Sequence, residues 1–379
     1  RPRRRRPRTQ PLLAAAAVVV VAAGVTAGVT TGFGGPAGPA PAVAPTSSAR
    51  VATPPPTVDA QPPEPIEAVW PRALRKVPAT TPGGQKLRPE QFIDDDTLLV
   101  STWSSFEKTS ALYAYDLGTR KLRTITNVPT PKGTVLFAAD FHAGGDRIVW
   151  WSQLRNGTTQ IWSAPLSGGD AELVTTLRGG RQGLDGLEIA GDRVVFSSRS
   201  GGVHTAPLSG GPAAPLDGGA SMHLLAWPWI GEPGPFGPAD EPRFARIRNV
   251  ETGETRSAVV RDGEEMSACS VARCSGHRQG VYFRRLRDGS GEQPLPGHFN
   301  RMGSLAQDRF HITALADGLR FIAVTLTDLT DGRSADLGIK ARKNAGGGFA
   351  VSPPAIAADG RLVSYTIKDT LHVIDLSKI

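Results

Sequence analysis

The sequence predicts an all-β fold, a β-propeller of seven blades, and three observations carry that expectation. A short phrase recurs at intervals of about 43 residues, centred on Leu117, Leu166, Leu208, Val250, Leu286, Leu329 and Leu376. Each copy has two or three alternating apolar positions, then Leu or Val, then a tight turn that usually carries Gly, as in YAYDLGTRKLRTIT and IWSAPLSGGDAELVT. Strand-and-turn units of this length cannot bury their faces alone, so they fan into radial sheets. Second, helical periodicity is hard to find beyond residue 66. Third, the last copy, LHVIDLSKI, ends at Ile379, where earlier copies turn and add another strand. An open edge leaves unpaired backbone groups, so a strand from elsewhere must complete that blade. Residues 70–79, WPRALRKVPA, stand before the first unit and are placed to supply it. Six blades are the alternative, because the fourth and fifth units are irregular and closely spaced.

Ahead of the propeller, assigned to residues 67–379, three segments differ in composition. Residues 1–11 hold six arginines, Arg1, Arg3, Arg4, Arg5, Arg6 and Arg8; of the formal charge of +8 they account for all but +2. A nearly neutral domain argues against nucleic acid as partner, since phosphate binding needs a concentrated basic surface. Residues 12–33 then run without a charge, long enough to cross a hydrocarbon core as a helix. Cations resist translocation, so residues 1–11 are expected in the cytoplasm and the propeller outside. The alternative is a signal cleaved near Ala40 to Ala44, with secretion of the domain. Residues 34–66 are dominated by Pro and Ala and read as a disordered tether. In extended form it reaches up to roughly 100 Å.

Within the domain, the first half of a unit is a Gly-Asp or Asp-Gly turn followed by an apolar strand, as in GDRIVWW at Gly145, GDRVVFSS at Gly191 and DGRLVSYT at Asp359. Asn156-Gly157 separates two apolar runs and marks a hairpin, because the pair accepts the positive φ angles of tight turns. The same residues with Thr158 fit the glycosylation pattern, which the turn already explains. Cys269 and Cys274 are the two cysteines of the chain. In an exported protein a disulfide across a loop between adjacent strands is the natural inference; free thiols and a metal site are the alternatives, and two sulfurs fall short of a four-ligand zinc site.

The GDRIVWW and IWSAPLSGGDAELVT halves resemble the strand–turn–strand unit of the TolB-like, WD-repeat-like propellers. The wider arrangement is similar to exported, membrane-anchored propellers of high-GC actinobacteria. It shares with them a membrane-targeting start, a Pro-rich linker, the segment at residues 70–79, AWPW at residues 226–229 and a nearby cysteine pair. The resemblance implies fold and location, and says little of activity because propellers host many unrelated functions.

No established catalytic motif appears, and the histidines are scattered over different units. No cofactor, catalytic residue or metal ligand is assigned. Asp94-Asp95-Asp96 lacks the further carboxylates of a calcium loop and reads as a solvated turn; Lys340, Arg342 and Lys343 beside Gly346 to Gly348 read as a basic loop. The candidate recognition residues are Trp227, Trp229 and Phe236, at and within a Gly/Pro-rich excursion, although tryptophans there also suit packing between blades. These readings converge on a monomeric, membrane-tethered extracytoplasmic module that binds or scaffolds a protein or envelope ligand without catalysis. The alternative is an enzyme whose site lies in the propeller channel and acts on cell-wall glycan or peptide.

Overall fold

The computed structural model describes residues 61–105, 108–178, 183–237, 241–295, 305–317, 320–343 and 349–379, and the pair Val19–Val20. Within them stand the seven antiparallel sheets of a propeller. Naming strands A to D outward from the channel, blade one is Lys86–Phe92, Thr97–Ser105, Lys108–Asp116 and Lys121–Asn127. Blade two is Thr134–Gly144, Arg147–Leu154, Thr159–Pro165 and Glu172–Leu177; blade three is Leu184–Ala190, Arg193–Ser198, Val203–Pro207 and Ala214–Pro215. Blade four is His223–Ala226, Trp229–Glu232, Arg246–Asn249 and Thr255–Ser257; blade five is Glu264–Cys269, Arg273–Arg278, Val281–Leu286 and Gln293–Pro294. Blade six has three described strands, its B to D: Phe310–Asp317, Arg320–Asp328 and Ser334–Asp336. The recurring phrase is strand C running into its turn, which is why it marks every blade once.

Blade seven is Ala355–Ile356, Leu362–Ile367, Thr370–Asp375 and, as its outer strand, Leu74–Pro78. Leu74 lies opposite Ile374 and Val77 opposite Leu371, so the ring closes as the truncated last phrase predicts. Pro78 ends this strand on the outer edge, where the missing N–H costs no ladder bond. Contacts begin slightly before residue 67: Asp336 N donates to Glu64 O at 2.9 Å, and Ile66 is buried at the start of a single helical turn, Ile66–Val69.

In blades one to three, strand B is apolar on both faces because it is wedged between neighbours. In blade two, Ile148 and Trp150 pack toward blade one with Leu99 and Leu112, whereas Val149 and Trp151 pack toward blade three with Val194 and Phe196. Burying each such side chain contributes about 1.5–3 kcal/mol. Asn156-Gly157 forms the expected hairpin turn, with Gly157 at φ 82° and Thr158 N bonded to Asn156 Oδ1 at 3.0 Å.

Residues 1–11, expected to be cytoplasmic, most of the expected membrane span 12–33 and the expected tether up to residue 60 lie outside the described residues. Val19–Val20 are described as a two-residue strand antiparallel to Val351 and Ala350. No described helix is long and apolar enough to cross a membrane.

Candidate functional site

Blade four is shorter than its neighbours, whose B strands have six residues each. Its strand B has four residues, against nine in blade one, and Trp229 opposite Asn249 matches Thr97 opposite Asp116 at the same end. The sequence cause is the Gly/Pro-rich run after Glu232: Pro233 and Pro235 have no N–H to extend a ladder. Residues 233–237 and 241–245 therefore carry no ladder strand of this blade. The base of this loop is pinched by Phe244 N donating to Pro233 O at 2.8 Å. Gly234 lies flat on the His223 ring, so close that a Cβ there would stand 2.3 Å from Nδ1.

The shortened blade leaves a cleft of about 390 Å³ beside this loop. Its floor is a buried pair: His223 Nδ1 donates to Asp185 Oδ2 at 2.6 Å. Asp185 is held in turn by Ser197 Oγ at 2.6 Å, whose oxygen also accepts from Leu224 N at 2.9 Å. Its ring orientation is set by the carboxylate and by Gly234, and His223 lines the cleft while only 8% exposed. The rim carries Arg199, with its guanidinium carbon 4.5 Å above the Phe236 ring, and Arg246, paired with Glu232 at 3.2 Å. Phe236 itself is 59% exposed.

Toward the channel, strands A of blades one to three each carry a bulge at or beside an acidic residue. Glu90 accepts from Ser101 Oγ at 2.5 Å, Asp140 from Trp151 Nε1 at 2.6 Å and Asp185 from Ser197 Oγ. Burial pushes the Glu90 carboxyl above its usual range against the pull of Arg88, and pushes that of Asp140 up against its Trp151 bond. His142 is held below the ordinary imidazole range by burial, opposed by Glu188 and Asp359. Sequence reasoning missed this series. A signal was present, since each acid precedes its strand B partner by 11 or 12 residues.

The predicted recognition residues do not form one surface. Trp229 is 9% exposed and lies under Arg256, and Trp227 packs with Val195, Leu224 and Ile230 in the wedge between blades three and four, its N–H bonded to Glu188 Oε2. Phe236 alone of the three reaches the cleft. Cys269 and Cys274 are bonded, directly opposite each other across the A–B hairpin of blade five. Asp94 Oδ1 closes its own turn through Asp96 N and Thr97 N, while Asp95 binds Arg361 and Lys378 of blade seven. Arg342 and Lys343 lie on a short hairpin strand, and Gly346 to Gly348 fall outside the described residues. Among the described residues no three His, Cys, Asp or Glu side chains are grouped to hold a metal ion.

No protein-family model and no curated relative matches the chain. Solved propellers do. The protein YCF48 from Cyanidioschyzon merolae is 10% identical over 81% of this chain and 100% of its own, with a TM-score of 0.46. The WD40 propeller domain of Doa1 is 11% identical over 80% and 98%, with a TM-score of 0.42. A computationally designed protein, Ika8, is 16% identical over 77% and 84%, with a TM-score of 0.39. The assignment of the fold rests on the strand pairing itself.

Proposed function

We propose that this chain is a membrane-tethered, extracytoplasmic binding or scaffolding module whose recognition surface is the cleft over blade four. The observation that carries it is Phe236: a large ring, mostly exposed, braced by Arg199 on the loop that follows the short strand B of blade four. Exposed aromatic and arginine side chains on a rigid scaffold are the usual anchors of binding surfaces. The TolB-like phrases and the arginine-led apolar segment 12–33 support placement on the outer face of a membrane, and the Pro-rich tether supports reach from it.

A second reading, catalysis in the channel, is favoured by the convergence of Glu90, Asp140, Asp185 and His223 from four blades. Against it, these carboxylates already accept structural hydrogen bonds, and Glu188 holds the Trp227 N–H. The test places a photo-crosslinking residue at position 236 or at the equally exposed Val281 in the tethered protein in intact cells. A discrete adduct at 236 that is absent at 281 supports the cleft. Equal yields at both sites overturn it, and turnover of wall fragments that His223→Gln abolishes replaces binding with catalysis.

A further inference from the structure

The mouth of the channel formed by the A–B turns of blades four to seven holds a second cavity, of about 560 Å³. That volume suits a small organic ligand. Leu225, Phe244, Val271, Leu305 and Ile356 make its walls apolar. Arg243 and Arg273 line it from blades four and five, and among the described residues neither guanidinium has a hydrogen-bonded or ion-paired partner. Their backbones are fixed: Cys269 N donates to Arg243 O at 3.0 Å, and Arg273 N donates to Ser270 Oγ at 3.0 Å beside the disulfide.

The charge balance around this cavity is incomplete. Arg284 and Arg287 are 6% and 5% exposed, yet they donate to neutral oxygens only. Arg284 reaches Asp308 O, Leu329 O and Gln293 Oε1; Arg287 reaches Ser270 O, Ala245 O and Phe244 O. Buried cations ordinarily sit beside a carboxylate. Two carboxylates line the cavity. Asp308 is bound by Ser270 Oγ at 2.5 Å and faces Arg273, Arg284 and Arg287 together, and Asp359 is turned to the Arg361 N–H. Burial pushes the Asp308 carboxyl upward against the pull of Ser270 and the three arginines.

We propose that this cavity binds a small amphiphilic carboxylate, its head on Arg273 and Arg243 and its hydrocarbon stem on the apolar walls. The ligand supplies the countercharge that the fold itself lacks. The site is separate from the cleft over blade four and stands whether or not that cleft binds a partner.

Isothermal titration of the disulfide-bonded domain with decanoate, kept below its micelle concentration at low salt, tests this. Saturable one-to-one binding is expected, with Arg273→Gln weakening it by roughly tenfold or more and Arg243→Gln by several-fold. Decyltrimethylammonium, the same stem with the opposite charge, is expected not to bind. Absence of decanoate binding to the wild-type domain overturns the proposal, as does equal binding of the ammonium. If Arg273→Gln does not fold, the exposed Arg243 decides: wild-type affinity in Arg243→Gln overturns the assignment of the head group.

Discussion

Blades one to three and blades four to six are joined by different means. Between blades one, two and three the wedge is filled by large apolar side chains, with Ile148, Trp150, Val194 and Phe196 at most 1% exposed. Around blade five the joints are made by arginines. Arg287 ties blade five to the carbonyls of Phe244 and Ala245, and Arg284 ties it to those of Asp308 and Leu329. Inside blade five, Arg285 is fully buried and grips both oxygens of Glu264. The contrast begins at the short blade four. Where strand B stops at Glu232 there is no ladder for the carbonyls of the loop that follows, and the joint to blade five holds only a small apolar cluster, Trp229, Phe244 and Ile247 with Val271. A planar guanidinium with five donors answers several such carbonyls at once.

If that account is right, the polar half fails by charge and the apolar half by volume. The largest effect is expected from Arg285→Leu, which leaves the buried Glu264 carboxylate to Arg278 and Arg261 as partners; denaturant unfolding should show a loss of about 3 kcal/mol. Replacing Glu264 by Leu as well should restore most of it. A double variant as unstable as the single one would mean that the pair does more than neutralise itself.

Next is acid. His311 in strand B of blade six is 2% exposed, and burial holds its imidazole down to about 4 from an ordinary 6.5. The folded state binds its proton less readily than the unfolded chain, so stability is full above about pH 6.5 and falls as pH drops toward 4, by roughly 3 kcal/mol at most. His142 acts in the same direction, whereas the raised carboxyls of Glu90, Asp140 and Asp308 act in the opposite one. Comparing the pH dependence of unfolding in the wild type and His311→Gln isolates the term; identical slopes would remove it.

Reduction of the disulfide, or paired Cys269→Ser and Cys274→Ser changes, should cost about 2 kcal/mol, because the closed loop is short. Hydrogen exchange should show the loosening confined to the A–B hairpin of blade five. The smallest effect is expected on the apolar side, where Ile148→Val should cost about 0.5–1.5 kcal/mol through the methyl it removes from the wedge. A loss much larger than that would show the first joint to be less forgiving than the arginine joints.

Much of the ring was readable from residues alone because strand C repeats its phrase in every blade. Leu376 stopping short told of a missing outer strand, and WPRALRKVPA was recognisable as its complement. The cleft was harder to read. Trp227 and Trp229 have the composition of a binding patch, but their neighbours in the wedge, Val195 and Ile230, lie elsewhere in the chain. His223 and Asp185 stand 38 residues apart and meet only because successive inner strands lie side by side.

By itself, then, the amino-acid order determined the period, the hairpins, the cysteine pairing and where the circle closes, since these depend on local turn chemistry and on backbone groups that must find partners. Only the tertiary structure decided that the strands of blade four stop short, that Phe236 faces solvent while Trp229 does not, and that three arginines gather around Asp308. Exposure and charge balance are properties of neighbours in space, and a repeat read along one dimension holds no record of which faces meet.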